Sequence, residues 1–324
     1  MPGPIHGVKV LELAQIMAGP TCGLMLADLG AEVIKIEKIP GGDDTRRFLP
    51  PDVNGEAAAF MMMNRNKRGM ALDLKTKEGV EVFKRLVKQA DVVVENFRKG
   101  TLEKLGVGYE ELKKINPKII LCEISGYGRT GPYADKGGFD LIAQGMSGLM
   151  SITGESKGKP PMKVGAPVTD ITAGILAATG VLAALVSRAT TGVGQRVDTS
   201  LYEAGIVHTY WQSAIASATG VAPGPLGSAH PLTAPYQAFQ TKDKWITVGA
   251  SNQNTWLKLI DALGVKQLQE NEKFNSNANR MKNLTELTEL LKKELVKKTA
   301  EEWLKLFDEK GLPCGPINTV TEMF

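Results

Sequence analysis

The chain has 324 residues, is 43% hydrophobic and 23% charged, and carries a formal net charge of +4 with a pI near 8.8. That length suffices for two domains, and so mild a positive balance suits an anionic small ligand better than a nucleic-acid groove, which shows a concentrated basic stripe. Three cysteines (Cys22, Cys122, Cys314) without CxxC spacing and three histidines (His6, His208, His230) without metal-ligand spacing argue against a disulfide framework or a zinc site, and point to a reducing, cytoplasmic compartment.

Met1 to His6 lacks the basic-then-apolar pattern of a signal peptide. Val8–Leu13 alternates and reads as a strand. Pro20 suits the first position of a helix running to Leu29, which Gly30 closes, and Glu32–Glu37 is the next strand. Strand, helix and strand at this spacing predict a βαβ unit and a parallel sheet. Residues 38–68 form a long connection whose apolar block, Ala57–Met63, predicts an ordered loop with a helical piece. Its cations, Lys38, Arg46, Arg47, Lys67 and Arg68, form either a phosphate site or a solvated rim.

Met70–Leu74 is predicted as a strand, and Lys77–Ala90 as an amphipathic helix with Val80, Phe83, Leu86 and Val87 on one face. Asp91–Glu95 is a buried strand, Leu102–Ile115 a helix and Lys118–Ile124 another strand. Ligands bind at the carboxyl ends of strands in such sheets, so residues 96–104, with Lys99 and Lys104, are a candidate ligand edge. Gly126-Tyr-Gly-Arg-Thr-Gly131 matches GxGxxG but is followed by Pro132 and Gly137-Gly138, so it reads as a glycine-rich loop and not a dinucleotide fingerprint. A helix is expected over 139–149.

Gly165 to Gly174 places one acid, Asp170, before the uncharged run Ile171–Val186, which reads as a buried helix and is short for a membrane span. An acid there is either an N-cap or a reactive carboxylate kept ionised by the helix dipole. Composition favours the cap. Gly192–Thr199 is a turn and strand, and Ser200–Gly220 a helix. The Gly/Pro/Ser-rich 222–231 marks a boundary, Tyr236–Gln240 and Trp245–Gly249 a hairpin, and helices follow at about 255–263, 282–296 and 299–310. Gly315–Phe324 opens a helix that ends within one turn, so a further C-terminal return segment is expected. No GxSxG elbow and no Walker A motif occurs.

Taken in order, several segments resemble the class III CoA-transferases (the formyl-CoA and carnitine CoA-transferase, or CaiB/BaiF, family). They are Ala18-Gly-Pro20, Leu29–Glu37, Gly42-Asp43, Asn64–Arg68, Ala90–Phe97, Gly126–Pro132, Gly165–Gly174, Gly194–Asp198 and Ala234–Phe239. The resemblance implies an α/β fold with a Rossmann-like, parallel-sheet CoA-binding domain over 1–199, a connecting helix and linker over 200–224, and a small α+β domain over 225–324. It also implies an interlocked homodimer that needs neither nucleic acid nor membrane. The expected substrates are an acyl-CoA and a carboxylic acid, with coenzyme A entering as a thioester and no permanently bound cofactor.

The family's nucleophilic aspartate falls on Asp170. Transfer between carboxylates has to conserve the thioester's energy, which a mixed anhydride and an aspartyl-CoA thioester do and a serine ester does not. The resemblance further places Ala18, Lys38, Leu72, Asn96, Phe97, Thr101 and Lys104 around CoA, and Met17, Phe139 and Asp140 around the acyl groups. Met17 stands where formyl-CoA transferase has glutamine, which argues against formyl and oxalyl substrates. The family's 2-methylacyl-CoA racemases are the alternative, but they carry a proton-transferring histidine where this chain has Phe139. A non-catalytic acyl-CoA-binding protein is the other alternative.

Overall fold

The computed structural model describes residues 2–324, which divide into two compact units. The first comprises the described residues up to 151 together with 162–210, the second 152–161 and 211–324.

The first unit is built on a six-stranded parallel sheet. Its strands are β1 (Lys9–Glu12), β2 (Glu32–Glu37), β5 (Arg68–Ala71), β6 (Val92–Glu95), β7 (Ile120–Ser125) and β8 (Arg196–Ser200). A two-residue-per-strand hairpin, β3 (Asp52–Val53) and β4 (Glu56–Ala57), lies apart from them. The spatial order β5-β2-β1-β6-β7-β8 is the doubly wound 3-2-1-4-5-6 order, so the predicted Rossmann-like α/β fold is present. Strand order reverses between β1 and β6, whose pairing runs from Val10 beside Val92 to Glu12 beside Val94.

Alternating strand residues feed two cores. Val10, Val33, Val92, Val94, Ile120, Cys122 and Ile124 face α1 (Ala18–Asp28) and the later helix over 168–191. Leu11, Ile36, Val93 and Leu121 face the other way, onto Phe83, Val87 and Leu112. Between β2 and β6 lie α2 (Ala58–Asn64) and α3 (Lys77–Val87), the latter capped by Thr76. The helix expected over 102–115 is two pieces, α4 (Thr101–Lys104) and α5 (Tyr109–Ile115), because Gly106 turns left-handed between them. The one expected over 139–149 is likewise α6 (Asp140–Met146) and α7 (Leu149–Ile152), broken at left-handed Gly148.

The helix expected to be buried is α8, Val168–Thr191, eight residues longer than its uncharged run and buried on one face only, with Ile175 and Val186 exposed. By length and composition it could cross a membrane. Here Ala173, Ala177, Ala178, Val181 and Ala184 are sunk in the core. Its far end is fixed by Arg188, which donates to the Asp91 carboxylate at 2.8 Å and to the Lys118 carbonyl at 3.0 Å. After β8 comes α9 (Leu201–Val207), which stops at His208, so 200–220 is not one helix.

Other departures are local. Helix α1 begins at Ala18, so Pro20 sits third, where its missing N–H still costs no hydrogen bond. Strand β5 lies two residues before its expected place. The loop cations are neutralised by carboxylates: Lys38 and Arg47 meet Asp44, Arg46 meets Glu37, Lys67 meets Glu12, and Arg68 meets Glu32.

The second unit takes α10 (Tyr210–Thr219) from Trp211 onward, then the hairpin β9 (Tyr236–Gln240) and β10 (Trp245–Gly249), in register as expected. Helices α11 (Gln253–Ala262), α12 (Asn277–Lys282), α13 (Leu284–Leu295) and α14 (Ala300–Glu309) follow. Phe239, Ile246, Trp256, Leu259, Leu291, Trp303 and Phe307 form its core. Gly315 lies in β11 (Cys314–Pro316), antiparallel to β10, and the helical turn begins only at Thr319, which bonds with Glu322.

Candidate active site

A cavity of about 290 Å³ opens at the carboxyl ends of β1, β6 and β7, where the strand order reverses. Each strand delivers a short wall segment: Gln15-Ile16-Met17-Ala18 after β1, Asn96–Lys99 after β6, and Ser125-Gly126 after β7. Ile124, Arg129, the loop 134–138, Phe139 and Leu201 complete it, and Asp170 enters from α8.

Glycine makes the close approaches possible. A Cβ on Gly126 would lie 2.8 Å from Gly138 Cα, so two lining backbones touch where only glycine fits. A Cβ on Gly174 would lie 2.5 Å from Thr21 Cβ and 2.6 Å from the Ala18 carbonyl oxygen. That glycine brings α8, and with it Asp170, against the start of α1.

Asp170 is not the helix cap. It is the third residue of α8, and the first-turn N–H of Thr169 goes instead to Asp140 Oδ1 at 2.9 Å, which also accepts from the Thr169 hydroxyl at 2.8 Å. Asp140 Oδ2 accepts from Gln144, whose own oxygen takes the Val164 N–H. The Asp170 carboxylate has no hydrogen bond among the described residues. It is half-buried, and its pKa is pushed up to about 7, first by burial and then by the Asp140 charge. Burial and the Asp140 charge thus shift the group opposite to the direction in which a helix dipole acts.

At the wall after β6 lies a buried cluster of three charged groups, Arg129, Glu95 and Glu123. Arg129 meets Glu95 and Glu123 and donates to the Phe97 carbonyl at 3.0 Å, while Glu95 accepts the Phe97 N–H at 2.6 Å. Phe97 is therefore held from both sides. Burial, only partly offset by Arg129, raises Glu95 to about 7. Asn96 grips the neighbouring wall, accepting from Gln15 N at 2.9 Å and donating to Gln15 O at 2.8 Å.

Of the residues singled out in the sequence, Met17, Ala18, Asn96, Phe97, Lys99, Phe139 and Asp170 line this cavity together. Phe139 is 72% exposed and precedes α6. Asp140 stands behind Asp170 through Thr169. Lys38 is one contact away, donating to Gln15 Oε1 at 3.1 Å. Leu72, Thr101 and Lys104 do not line it: Leu72 N bonds the Glu37 carbonyl beyond β5, Thr101 begins α4 and Lys104 is exposed. Sequence reasoning missed Gln15, Ile16 and Arg129, while Arg98 lies within the ligand edge expected over 96–104. Arg129 could have been found as the one cation inside the glycine-rich loop, whereas the left-handed Ile16 (φ 70°) left no signal.

The profile of CoA-transferase family III matches residues 5–324. The chain is 41% identical over 327 residues to the succinate–glutarate CoA-transferase of Agrobacterium fabrum, covering 99% of this chain and 82% of that one. It is 39% identical to succinyl-CoA:glutarate CoA-transferase of Mus musculus, over 99% of this chain and 73% of the other. A crystal structure of a CaiB/BaiF family protein from Brucella suis superimposes with a TM-score of 0.88 at 42% identity, covering all of this chain and 86% of that one. With that match over nearly its whole length, and a half-buried carboxylate in a cavity at the switch point of a doubly wound sheet, the chain belongs to CoA-transferase family III.

Proposed function

We propose that this protein moves CoA from an acyl-CoA to a short dicarboxylic acid, with Asp170 as the covalent nucleophile. The observation that carries the reading is the Asp170 carboxylate itself. It lines the cavity without a hydrogen-bond partner among the described residues, and burial raises it to about 7. A carboxylate so placed is more basic, hence more nucleophilic, than one in water and still ionises near neutral pH.

The chemistry runs in balanced steps. Asp170 attacks the donor's thioester carbon, forming a C–O bond as the C–S bond breaks and CoA thiolate leaves. The thiolate attacks the Asp170 carbonyl carbon of this anhydride and expels the donor as its carboxylate, leaving an aspartyl-CoA thioester. The acceptor carboxylate repeats the two steps in reverse and leaves as its CoA ester. No net proton is taken up, so the site needs no general acid. It needs exclusion of water, which would hydrolyse either intermediate.

The dicarboxylate part of the reading rests on two supports. Relatives at about 40% identity are named for succinate and glutarate. Exposed Arg98, Lys99 and Lys136 also lie along the cavity, where a second carboxylate would meet them. We further propose a cytoplasmic compartment, in keeping with three cysteines that have no disulfide spacing, and a homodimer for this chain.

The test is incubation of the protein with succinyl-CoA and a panel of mono- and dicarboxylic acids, with products read by mass. New dicarboxyl-CoA thioesters are expected. Hydroxylamine should convert the intermediate to a hydroxamate located at Asp170 by peptide mapping. Free acid and CoA alone would replace transfer by hydrolysis, and undiminished turnover in Asp170→Ala would remove the nucleophile.

A further inference from the structure

Ile16 is a β-branched residue at φ 70°, in the left-handed region that such side chains avoid, and it lines the cavity. Strain of this kind persists only where the surroundings over-determine it, and it concentrates at functional sites. What over-determines Ile16 is a carboxylate outside the cavity. The Ile16 N–H donates to both oxygens of Asp43 at 3.2 Å. Asp43 is 1% exposed and does not line the cavity.

Asp43 is itself fixed on every side. Its Oδ1 accepts from the Thr45 N–H and hydroxyl, both at 2.9 Å, and its own N–H donates to Glu37 at 2.9 Å. Lys35, buried, meets Asp43 Oδ2 at 2.9 Å and Glu12 Oε1 at 2.8 Å, and donates to the Ala14 carbonyl at 2.8 Å. Lys67 holds the other Glu12 oxygen at 2.8 Å. Consecutive peptide groups of the wall are thereby tied: Ala14 to Lys35, Gln15 to Asn96 and Ile16 to Asp43.

We propose that Asp43 is a positioning residue for CoA transfer, acting through the Ile16 backbone to hold the wall segment Gln15–Met17 in the conformation the reacting groups require. The proposal rests on the reading that transfer takes place in this cavity. A purely electrostatic account of Asp43, as the counter-charge of Lys35, leaves the strained Ile16 unexplained. The positioning account makes the strain and the carboxylate two halves of one device. Its distinguishing consequence is that the need for Asp43 depends on what residue 16 is. Glycine adopts φ 70° without strain, so it should not need the clamp.

The experiment compares the full-length protein with Asp43→Asn, Ile16→Gly and the double variant, using succinyl-CoA and the best acceptor found for the wild type. Asp43→Asn is expected to keep a cooperative melt, hold KM for the acyl-CoA and lose about tenfold or more in kcat, the scale of a small misplacement of reacting groups. In the Ile16→Gly background the same change should cost less than about threefold, a non-additivity expected of coupled neighbours. A crystal structure of Asp43→Asn should show Ile16 relaxed to negative φ. Equal losses in both backgrounds, full activity of Asp43→Asn, or Ile16 still near φ 70° in that structure would each overturn the proposal. If Asp43→Asn does not fold, the double variant decides: folding and turnover support it, and failure to fold makes Asp43 a folding residue. A wild type inactive toward every acid would defeat the transfer reading, while the Ile16 geometry would still be tested by the structure.

Discussion

Asp140 caps the helix whose third residue is Asp170: its carboxylate holds the Thr169 N–H at 2.9 Å and the Thr169 hydroxyl at 2.8 Å. The cap and the candidate nucleophile are thus two like charges joined through Thr169, and the Asp140 charge adds to burial in raising Asp170.

This predicts the acid limb of the rate profile. Transfer requires ionised Asp170, whose pKa lies at about 7, so kcat/KM should rise with pH through that value. Asp140→Asn keeps one oxygen for Thr169 but removes the charge, and should move the limb to lower pH. A limb that stays in place would mean burial alone sets the pKa.

Stability should show the converse. Asp170 ionises near its ordinary 3.8 when unfolded and at about 7 when folded. Between those values the native state binds more protons, so this group's contribution falls as pH rises from about 4 to 7. Asp170→Asn should therefore stabilise the protein at pH 8 by on the order of 1–3 kcal/mol, after discounting for its partial exposure, and little near pH 4. Urea unfolding at the two pH values checks this.

Arg129 is the only cation meeting Glu95 among the described residues, and both are buried. Arg129→Met leaves Glu95 buried without its partner and should cost about 3–5 kcal/mol in urea unfolding. The pair Arg129→Met with Glu95→Gln should recover part of that loss. Full additivity of the two changes would show that they do not act as a pair.

Gly174→Ala places a methyl 2.6 Å from the Ala18 carbonyl, which no rotamer can avoid. The expected cost is about 1–3 kcal/mol from overpacking, with kcat falling as α8 is pushed from α1. The neighbouring change Ala173→Gly, which only empties space, should lower stability without the same loss of turnover.

Much of this was legible in the chain. Alternation over Val8–Leu13, the continuous apolar run Val92–Val94 of a strand buried on both faces, and the βαβ spacing of the first 37 residues identify the parallel sheet. Asp170, Asn96 and Phe97 could be found because they sit at strand ends and helix starts within recognisable segments. What could not be read is what depends on partners far apart in sequence. The cations of residues 38–68 looked available, yet each meets a carboxylate supplied by another segment or by its own turn. Asp170 looked like a cap because no local rule reveals that Asp140, thirty positions earlier, takes the Thr169 N–H. Glycine-driven breaks at Gly106 and Gly148 were visible as letters, but not whether the chain used them to stop a helix.

Arg188 gives the geometry a mechanical reach. It pins the last turns of α8 to Asp91 and Lys118, and Asp170 stands 18 residues away at the other end. At 1.5 Å per residue that is a rod of about 27 Å. A pivot of about 2° at the anchored end swings the carboxylate by about 1 Å, enough to slow a reaction that depends on near-attack distances. Positions at the amino ends of β6 and β7, far from the cavity at their carboxyl ends, are thereby part of the machine's tolerance.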